Sequence, residues 1–259
     1  MFFRSRDRQT APSKPQRVTW TTPDGEYYAI SAQALKAEHT LIAGSTGCGK
    51  STFLRSVLQA FLTEYTPADA ELIIIDPKRT DLWRYAKLPH VRRYIDTKED
   101  ALSALSAVYE EIIARQTEAR AKDEDEYSGK ALFILIDELN PLINDRVLGK
   151  RIAQALEDIT TLGRSAKVHL IAATQNPNRS TLPGNIADNC TCRFGLKCQT
   201  PYQSRAIVNQ SGCERLPKHG VTLADLNGDI GLFKIPFVTM DEMKPLLSYW
   251  MSEECKTVH

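Results

Sequence analysis

Gly44-Ser45-Thr46-Gly47-Cys48-Gly49-Lys50-Ser51 reads G-x-x-x-x-G-K-S, the spacing of a phosphate-binding loop. An apolar run, Leu41-Ile42-Ala43, leads into it, and Thr52-Phe53-Leu54-Arg55-Ser56-Val57-Leu58 follows with helical character. Strand, glycine-rich loop and helix is the context in which this motif works. The glycines let backbone N–H groups curl around an anion, and the helix N-terminus adds positive field. On this reading residues 44 to 52 bind a nucleotide: Gly44, Ser45, Thr46, Gly47, Cys48, Gly49, Lys50, Ser51 and Thr52. Lys50 reaches the β- and γ-phosphates of ATP, and the Ser51 hydroxyl holds Mg²⁺. Cys48 lies among the same N–H groups and beside Lys50, a setting that predicts a reactive thiolate.

Outward from this loop, apolar segments alternate with helical ones. Strands are expected near 40–43, 71–76, 131–137, 168–174 and 190–198, and helices near 50–63, 98–120, 147–162, 201–210 and 241–251. Continuous apolar runs such as Leu72-Ile73-Ile74-Ile75 and Leu132-Phe133-Ile134-Leu135-Ile136 suit strands buried on both faces. The expected fold class is therefore α/β, a P-loop NTPase with a mostly parallel central sheet flanked by helices; the acid Glu138 beside Asp137 and the polar Gln175 ending the next strand point to the RecA-like branch. Residues 18–30 read as a β-hairpin turning at Pro23-Asp24-Gly25. Residues 1–17, with Arg4, Arg6, Arg8, Lys14 and Arg17 against Asp7, read as a flexible basic arm. That leaves 18–259 as one motor-sized domain. The acidic stretch 121–129 reads as a solvated loop.

Two further strand ends carry polar chemistry. Ala131-Leu132-Phe133-Ile134-Leu135-Ile136-Asp137-Glu138 is an apolar strand ending in two acids, the Walker B pattern. Asp137 is placed in the Mg²⁺ shell, and Glu138 is placed as general base for the attacking water. Val168-His169-Leu170-Ile171-Ala172-Ala173-Thr174-Gln175 ends in a polar pair. Gln175 is positioned either to contact the γ-phosphate and water or simply to cap a loop.

Composition bounds the partners. The 259 residues carry 33 Lys and Arg against 32 Asp and Glu, a formal charge of +1, so nucleic-acid binding would need local clusters of charge. No apolar run approaches the ~20 residues of a membrane helix, and a cytoplasmic location is expected. The six cysteines match no paired C-x-x-C pattern. From 190 to 198 the even positions are Cys190, Cys192, Phe194, Leu196 and Cys198, which reads as a strand with one buried face rather than a zinc site.

Together these residues resemble the FtsK/SpoIIIE family of DNA translocases. The resemblance spans about residues 38–240. It includes the P-loop, Ile75-Asp76-Pro77-Lys78, Leu88-Pro89-His90, Ile136-Asp137-Glu138, Gly163-Arg164-Ser165-Ala166-Lys167-Val168-His169 and Ala173-Thr174-Gln175-Asn176-Pro177. It implies a homo-oligomeric, hexameric ring that moves double-stranded DNA through a central pore and hydrolyses ATP at subunit interfaces. Arg164 matches the arginine that the family presents in trans to a neighbouring γ-phosphate, where such fingers neutralise transition-state charge. Arg193 and Arg205 match other basic positions. Lys78 fits either a structural or a functional role. Arg179, Lys197 and Arg205 are the candidate DNA contacts, because pore residues that track phosphates should be basic. Where the family usually has arginine after the strand-end glutamine, this chain has Asn176. The membrane segments and winged-helix module of larger members are not present in this sequence, which suits a motor of a plasmid, phage or integrative element. A type VII protein-secretion ATPase and a non-motor nucleotide switch are the alternatives.

Overall fold

Leu72, Ile74, Phe133 and Leu135 are buried in one apolar cluster, while Ile73, Ile75, Ile134 and Ile136 are buried in another. Side chains alternate across a strand, so an unbroken apolar run fills the cores on both faces of one sheet. The computed structural model describes residues 20–21, 27–28, 34–35, 38–175, 177, 184–235 and 237–252.

The main sheet has eight strands in the order β10-β9-β8-β3-β7-β6-β4-β5. They are β3 (His39–Ala43), β4 (Ala70–Ile75), β5 (Val91–Ile95), β6 (Ala131–Ile136), β7 (Val168–Thr174), β8 (Cys192–Gly195), β9 (Val221–Leu226) and β10 (Asp229–Lys234). From β8 to β5 every neighbouring pair is parallel. The β8–β9 and β9–β10 pairs are antiparallel. The expected mostly parallel sheet is therefore present, with an antiparallel extension on one edge.

Helices cover both faces. On one side lie α1 (Lys50–Glu64) and the last helix, α7 (Met240–Met251); Trp250 donates its indole N–H to the Leu62 carbonyl at 2.8 Å. On the other lie α2 (Lys98–Ala121) and α4 (Gly149–Leu162), with α3 (Asn140–Ile143) preceding α4. α4 buries Ile152, Ala155, Leu156 and Ile159, an i, i+3, i+4, i+7 stripe. Two shorter helices, α5 (Gly184–Asn189) and α6 (Pro201–Val208), flank β8 in sequence. β1 (Trp20–Thr21) pairs antiparallel with β2 (Tyr27–Tyr28), within the stretch 18–30 read as a hairpin. Its turn at 23–25 and the basic arm at 1–17 lie outside the described residues.

Three differences from the sequence reading have physical causes. The 190–198 strand shortens to Cys192–Gly195, and both its faces are covered. The even-numbered apolar positions are buried as expected, but Arg193 on the opposite face is buried too. Its Nε donates to the Cys190 carbonyl at 2.9 Å. β5, Val91-Arg92-Arg93-Tyr94-Ile95, is an edge strand whose two arginines obscure its apolar pattern, and edge strands commonly carry such charges. The β9–β10 hairpin turns at Asn227-Gly228, both with positive φ (57° and 98°). Asn-Gly is the strongest short hairpin signal, and the strand expectations above do not use it.

Candidate nucleotide site

The phosphate-binding loop hangs from the C-terminal end of β3. Its start is braced by two backbone bonds: Gly44 N–H donates to Thr174 O at 3.2 Å, and Ser45 N–H donates to Lys197 O at 2.9 Å. The loop ends at Gly49, the N-cap of α1, whose φ of 99° lies in the left-handed region that favours glycine. No side chain caps α1, and no acid stands in its first turn. The helix therefore presents unsatisfied N–H groups and a positive dipole end.

The neighbouring strands deliver the rest. Glu138, one residue beyond the Asp137 that follows β6, is buried at 1% exposure and sits in a knot of donors. Its Oε2 takes Lys50 Nζ at 3.1 Å and Lys78 Nζ at 2.9 Å, and its Oε1 accepts the Gln175 N–H at 3.0 Å. Burial pushes the Glu138 carboxyl up, but the Lys50 charge and the bonds from Lys78, Gln175 and Lys50 outweigh it and hold it below the usual range. Burial pulls the Lys50 ammonium below its ordinary value, against the pull of Glu138 and Asp137. A buried pair of this kind is a poor source of stability, because desolvating two charges offsets their attraction.

Gln175 directly follows β7, and its Oε1 accepts the Thr46 hydroxyl at 3.0 Å, so the third strand end touches the phosphate loop directly. Asp137 is buried beside Asp76 and Glu138, and burial raises its carboxyl above the ordinary range. A hard divalent cation would offset that cost. Asp137 and the exposed Ser51 hydroxyl at the start of α1 are oxygen donors of the kind Mg²⁺ takes.

Lys78, left open between two roles by the sequence, is therefore drawn into the site. Its neighbour Asp76 is fully buried and accepts the Tyr94 hydroxyl at 3.2 Å. The 3.0 Å bond between Gln175 and the P-loop needs the register of β3 against β7, which no local pattern encodes.

Cys48 departs from expectation. The thiol is buried at 2% exposure, and burial raises its pKa more strongly than the Lys50 amide and charge lower it. It packs as a core side chain rather than standing as a thiolate. The five described cysteines are all free and buried.

Arg164 lies elsewhere. It precedes β7 whereas Gln175 follows it, so the seven-residue strand separates them by roughly 20 Å. It is 67% exposed and pairs with Glu38 at 2.7 Å and Glu126 at 3.9 Å. The turn that carries it is rigid. Arg115 Nη1 donates to the Ala166 carbonyl at 2.9 Å, Gln116 Nε2 to the Leu162 carbonyl at 3.1 Å, and Tyr127 N–H to the Ser165 carbonyl at 2.8 Å. A Cβ on Gly163 would stand 2.6 Å from both the Ile159 and Val168 carbonyls, so the turn closes too tightly for a side chain.

Two of the three candidate DNA contacts lie among the described residues. Lys197 donates to the Glu214 carbonyl at 2.6 Å, which ties its ammonium to a neighbouring turn. Arg205 is exposed on α6, and Arg179 and Asn176 lie outside the described residues. No described helix is long and apolar enough to cross a membrane.

Comparison with known proteins shows what the chain is similar to. The sequence model of the FtsK/SpoIIIE family matches residues 4–131. A DNA translocase FtsK of Helicobacter pylori (strain J99) is 32% identical over 230 residues, covering 83% of this chain and 27% of that protein. A DNA translocase FtsK of Staphylococcus aureus (strain Mu50) is 29% identical over 240 residues, covering 83% of this chain and 30% of that protein. The chain thus spans under a third of the length of these relatives. Among solved structures, the pCW3 conjugation coupling protein TcpA with ATPγS superposes with a TM-score of 0.75 at 20% identity, over 93% of this chain and 72% of that one. The cytoplasmic domain of the Thermomonospora curvata type VII secretion ATPase EccC superposes at 0.74 and 22%, over 95% and 32%. These two likenesses concern the fold, which is that of P-loop ATPases. By its motifs, its sheet order and its sequence relatives, the chain belongs to the FtsK/SpoIIIE family.

Proposed function

We propose that this chain is a Mg²⁺-dependent ATPase that drives movement along double-stranded DNA, working as a homo-oligomeric ring, a hexamer of the kind the family resemblance implies. The observation that carries the chemistry is Glu138 held between Lys50, Lys78 and the Gln175 amide at the mouth of the phosphate loop. The sequence kinship to DNA translocases supplies the track.

The residues divide the work by position. Backbone N–H groups of 45–51 and Lys50 bind the triphosphate, and Ser51 and Asp137 would hold Mg²⁺, which would supply charge neutralisation at the phosphates. Phosphate oxygens compete with Glu138 for Lys50. As Lys50 turns to the phosphates, Glu138 Oε2 loses one of its two cations and its basicity rises. Its other oxygen remains oriented by the Gln175 N–H, and the carboxylate takes a proton from the attacking water. Gln175, bonded to Thr46, couples the state of the phosphates to the end of β7. Arg164, at the far end of the sheet from its own phosphate loop, completes the site of a second copy. Arg179, Lys197 and Arg205 stand as DNA contacts in the assembled ring, and the arm at 1–17 as a tether. A plasmid, phage or integrative element and the cytoplasm are the setting this reading favours.

The test is the ATPase rate with and without linear duplex DNA, from low to high salt. DNA should stimulate hydrolysis, and stimulation should fall steeply as salt rises, because phosphate contacts release counterions. Turnover that DNA never alters would transfer the chain to the protein-secretion or nucleotide-switch reading.

A further inference from the structure

A single exposed phenylalanine on a protein surface needs no explanation. Phe237 is different because of where it stands. It is 76% exposed, yet it lines the same cavity as the phosphate-binding loop. That cavity, of about 580 Å³, runs from residues 45–52 to a wall formed by His219, Gly220, Ile235 and Phe237. The volume lies within the ordinary range for small-ligand sites. Lys50 is the one cationic lysine or arginine among the described lining residues, and no carboxylate is among them, which suits a polyanion at the loop end.

The backbone on both sides of Phe237 is pinned. Ile235 N–H donates to the Gly220 carbonyl at 2.9 Å. The Val238 carbonyl accepts Arg55 Nη1 at 2.8 Å, and Arg55 belongs to α1, the helix that begins at Lys50. Directly after it, Thr239 and Glu242 form a reciprocal capping box that starts α7. The exposed ring is thus carried on a segment anchored to the phosphate-binding helix itself. Such pre-organisation lowers the entropy cost of holding a ligand against it.

We propose that Phe237, backed by Ile235, is the platform on which the base of a bound nucleoside triphosphate stacks. This rests on the reading of residues 44–52 as the triphosphate site. The wall offers an aromatic face, an aliphatic side chain and one imidazole, and no described Asp, Asn, Gln or Arg side chain stands at that end to read the edge of a base. Recognition is therefore by the face of the ring. Adenine and guanine triphosphates are held alike by this contact, and the large purine face gains most from it.

Titrating ATP, GTP and inorganic tripolyphosphate into the full chain, calorimetrically and with Mg²⁺ present, tests the assignment. Phe237→Ala should weaken ATP and GTP by similar factors, roughly 5- to 100-fold given the usual worth of base–aromatic stacking. Tripolyphosphate, which has no base, should bind the variant as it binds the parent. Phe237→Trp should retain ATP affinity. Unchanged ATP affinity in Phe237→Ala overturns the platform, and so does an equal loss of tripolyphosphate, which would make Phe237 a structural support of the loop. Failure of the parent chain to bind either ATP or tripolyphosphate would overturn the triphosphate site itself and the platform with it.

Discussion

The two ends of the parallel sheet treat charge in opposite ways. At the C-terminal ends of β3, β6 and β7, Lys50, Asp137 and Glu138 are all buried and tied into one network. At the N-terminal ends, Arg164 stands in solvent with Glu38 and Glu126, beside a recess of about 460 Å³ that also includes Lys167 and His169. A buried charge with fixed donors is suited to act within its own chain. A solvated arginine on a rigid turn, far from its own phosphate loop, is suited to act on another molecule. The contrast makes the mutational expectations asymmetric.

The largest effect should come from the exposed end. In assembled rings Arg164→Ala should cut turnover by ~10³-fold or more while nucleotide binding persists. Mixing Arg164→Ala with Lys50→Ala subunits should restore part of the rate, since some interfaces then hold both intact residues. Co-assembled rings that show no rescue would dissolve the contrast between a cis end and a trans end. Next, Glu138→Gln should lower hydrolysis by roughly 10²–10⁴-fold, the usual worth of a general base, and still bind ATP. A single-turnover rate close to that of the parent would remove Glu138 from the chemistry.

His39 sharpens the comparison by pH. It begins β3 at the Arg164 end, almost fully buried, with Nδ1 accepting the Leu170 N–H at 3.1 Å. Burial and the neighbouring His169 lower its pKa from 6.5 to about 4. A histidine kept neutral in the fold but free to protonate when unfolded contributes stability above pH 6.5. That contribution is lost as pH falls from 6.5 toward 4, and its full size is about 3 kcal/mol. Urea unfolding at pH 7.5 and 4.5 should therefore show a smaller drop for His39→Asn than for the parent; an identical drop would remove His39 from the acid response. The smallest effect is expected at Glu126. Its 3.9 Å contact to Arg164 is solvent-exposed, so Glu126→Ala should change unfolding free energy by less than ~0.5 kcal/mol. A larger loss would mean that Arg164 is held for stability and not kept available.

Much of the site was legible before any coordinates. The P-loop, Asp137, Glu138 and Gln175 each follow an apolar strand, so local spacing alone marks them as strand-end residues. Lys78 stayed open between two roles, because its partner Glu138 is 60 positions away and nothing near Lys78 encodes that meeting. Cys48 was misread for a related reason. Its sequence neighbours favour a thiolate, while the burial that opposes one comes from packing of the whole domain. β5 was hidden because edge position, not pattern, makes its arginines acceptable.

By itself the sequence determined most elements of the parallel core and which residue types stand at its strand ends. Those depend on covalent spacing: four residues between glycines, alternation along a strand, an acid after an apolar run. Only the tertiary structure decided which strand ends lie together. The order β8-β3-β7-β6-β4-β5 sets Gln175 beside Thr46 and brings Lys78 to Glu138. The same parallel polarity carries Arg164 to the opposite end, and the β10–α7 connection brings Phe237 back to the cavity of the phosphate loop. The reason is physical: hydrogen-bond spacing and side-chain period act over a few residues, whereas strand order is fixed by the burial of two apolar cores at once, a property of the whole chain.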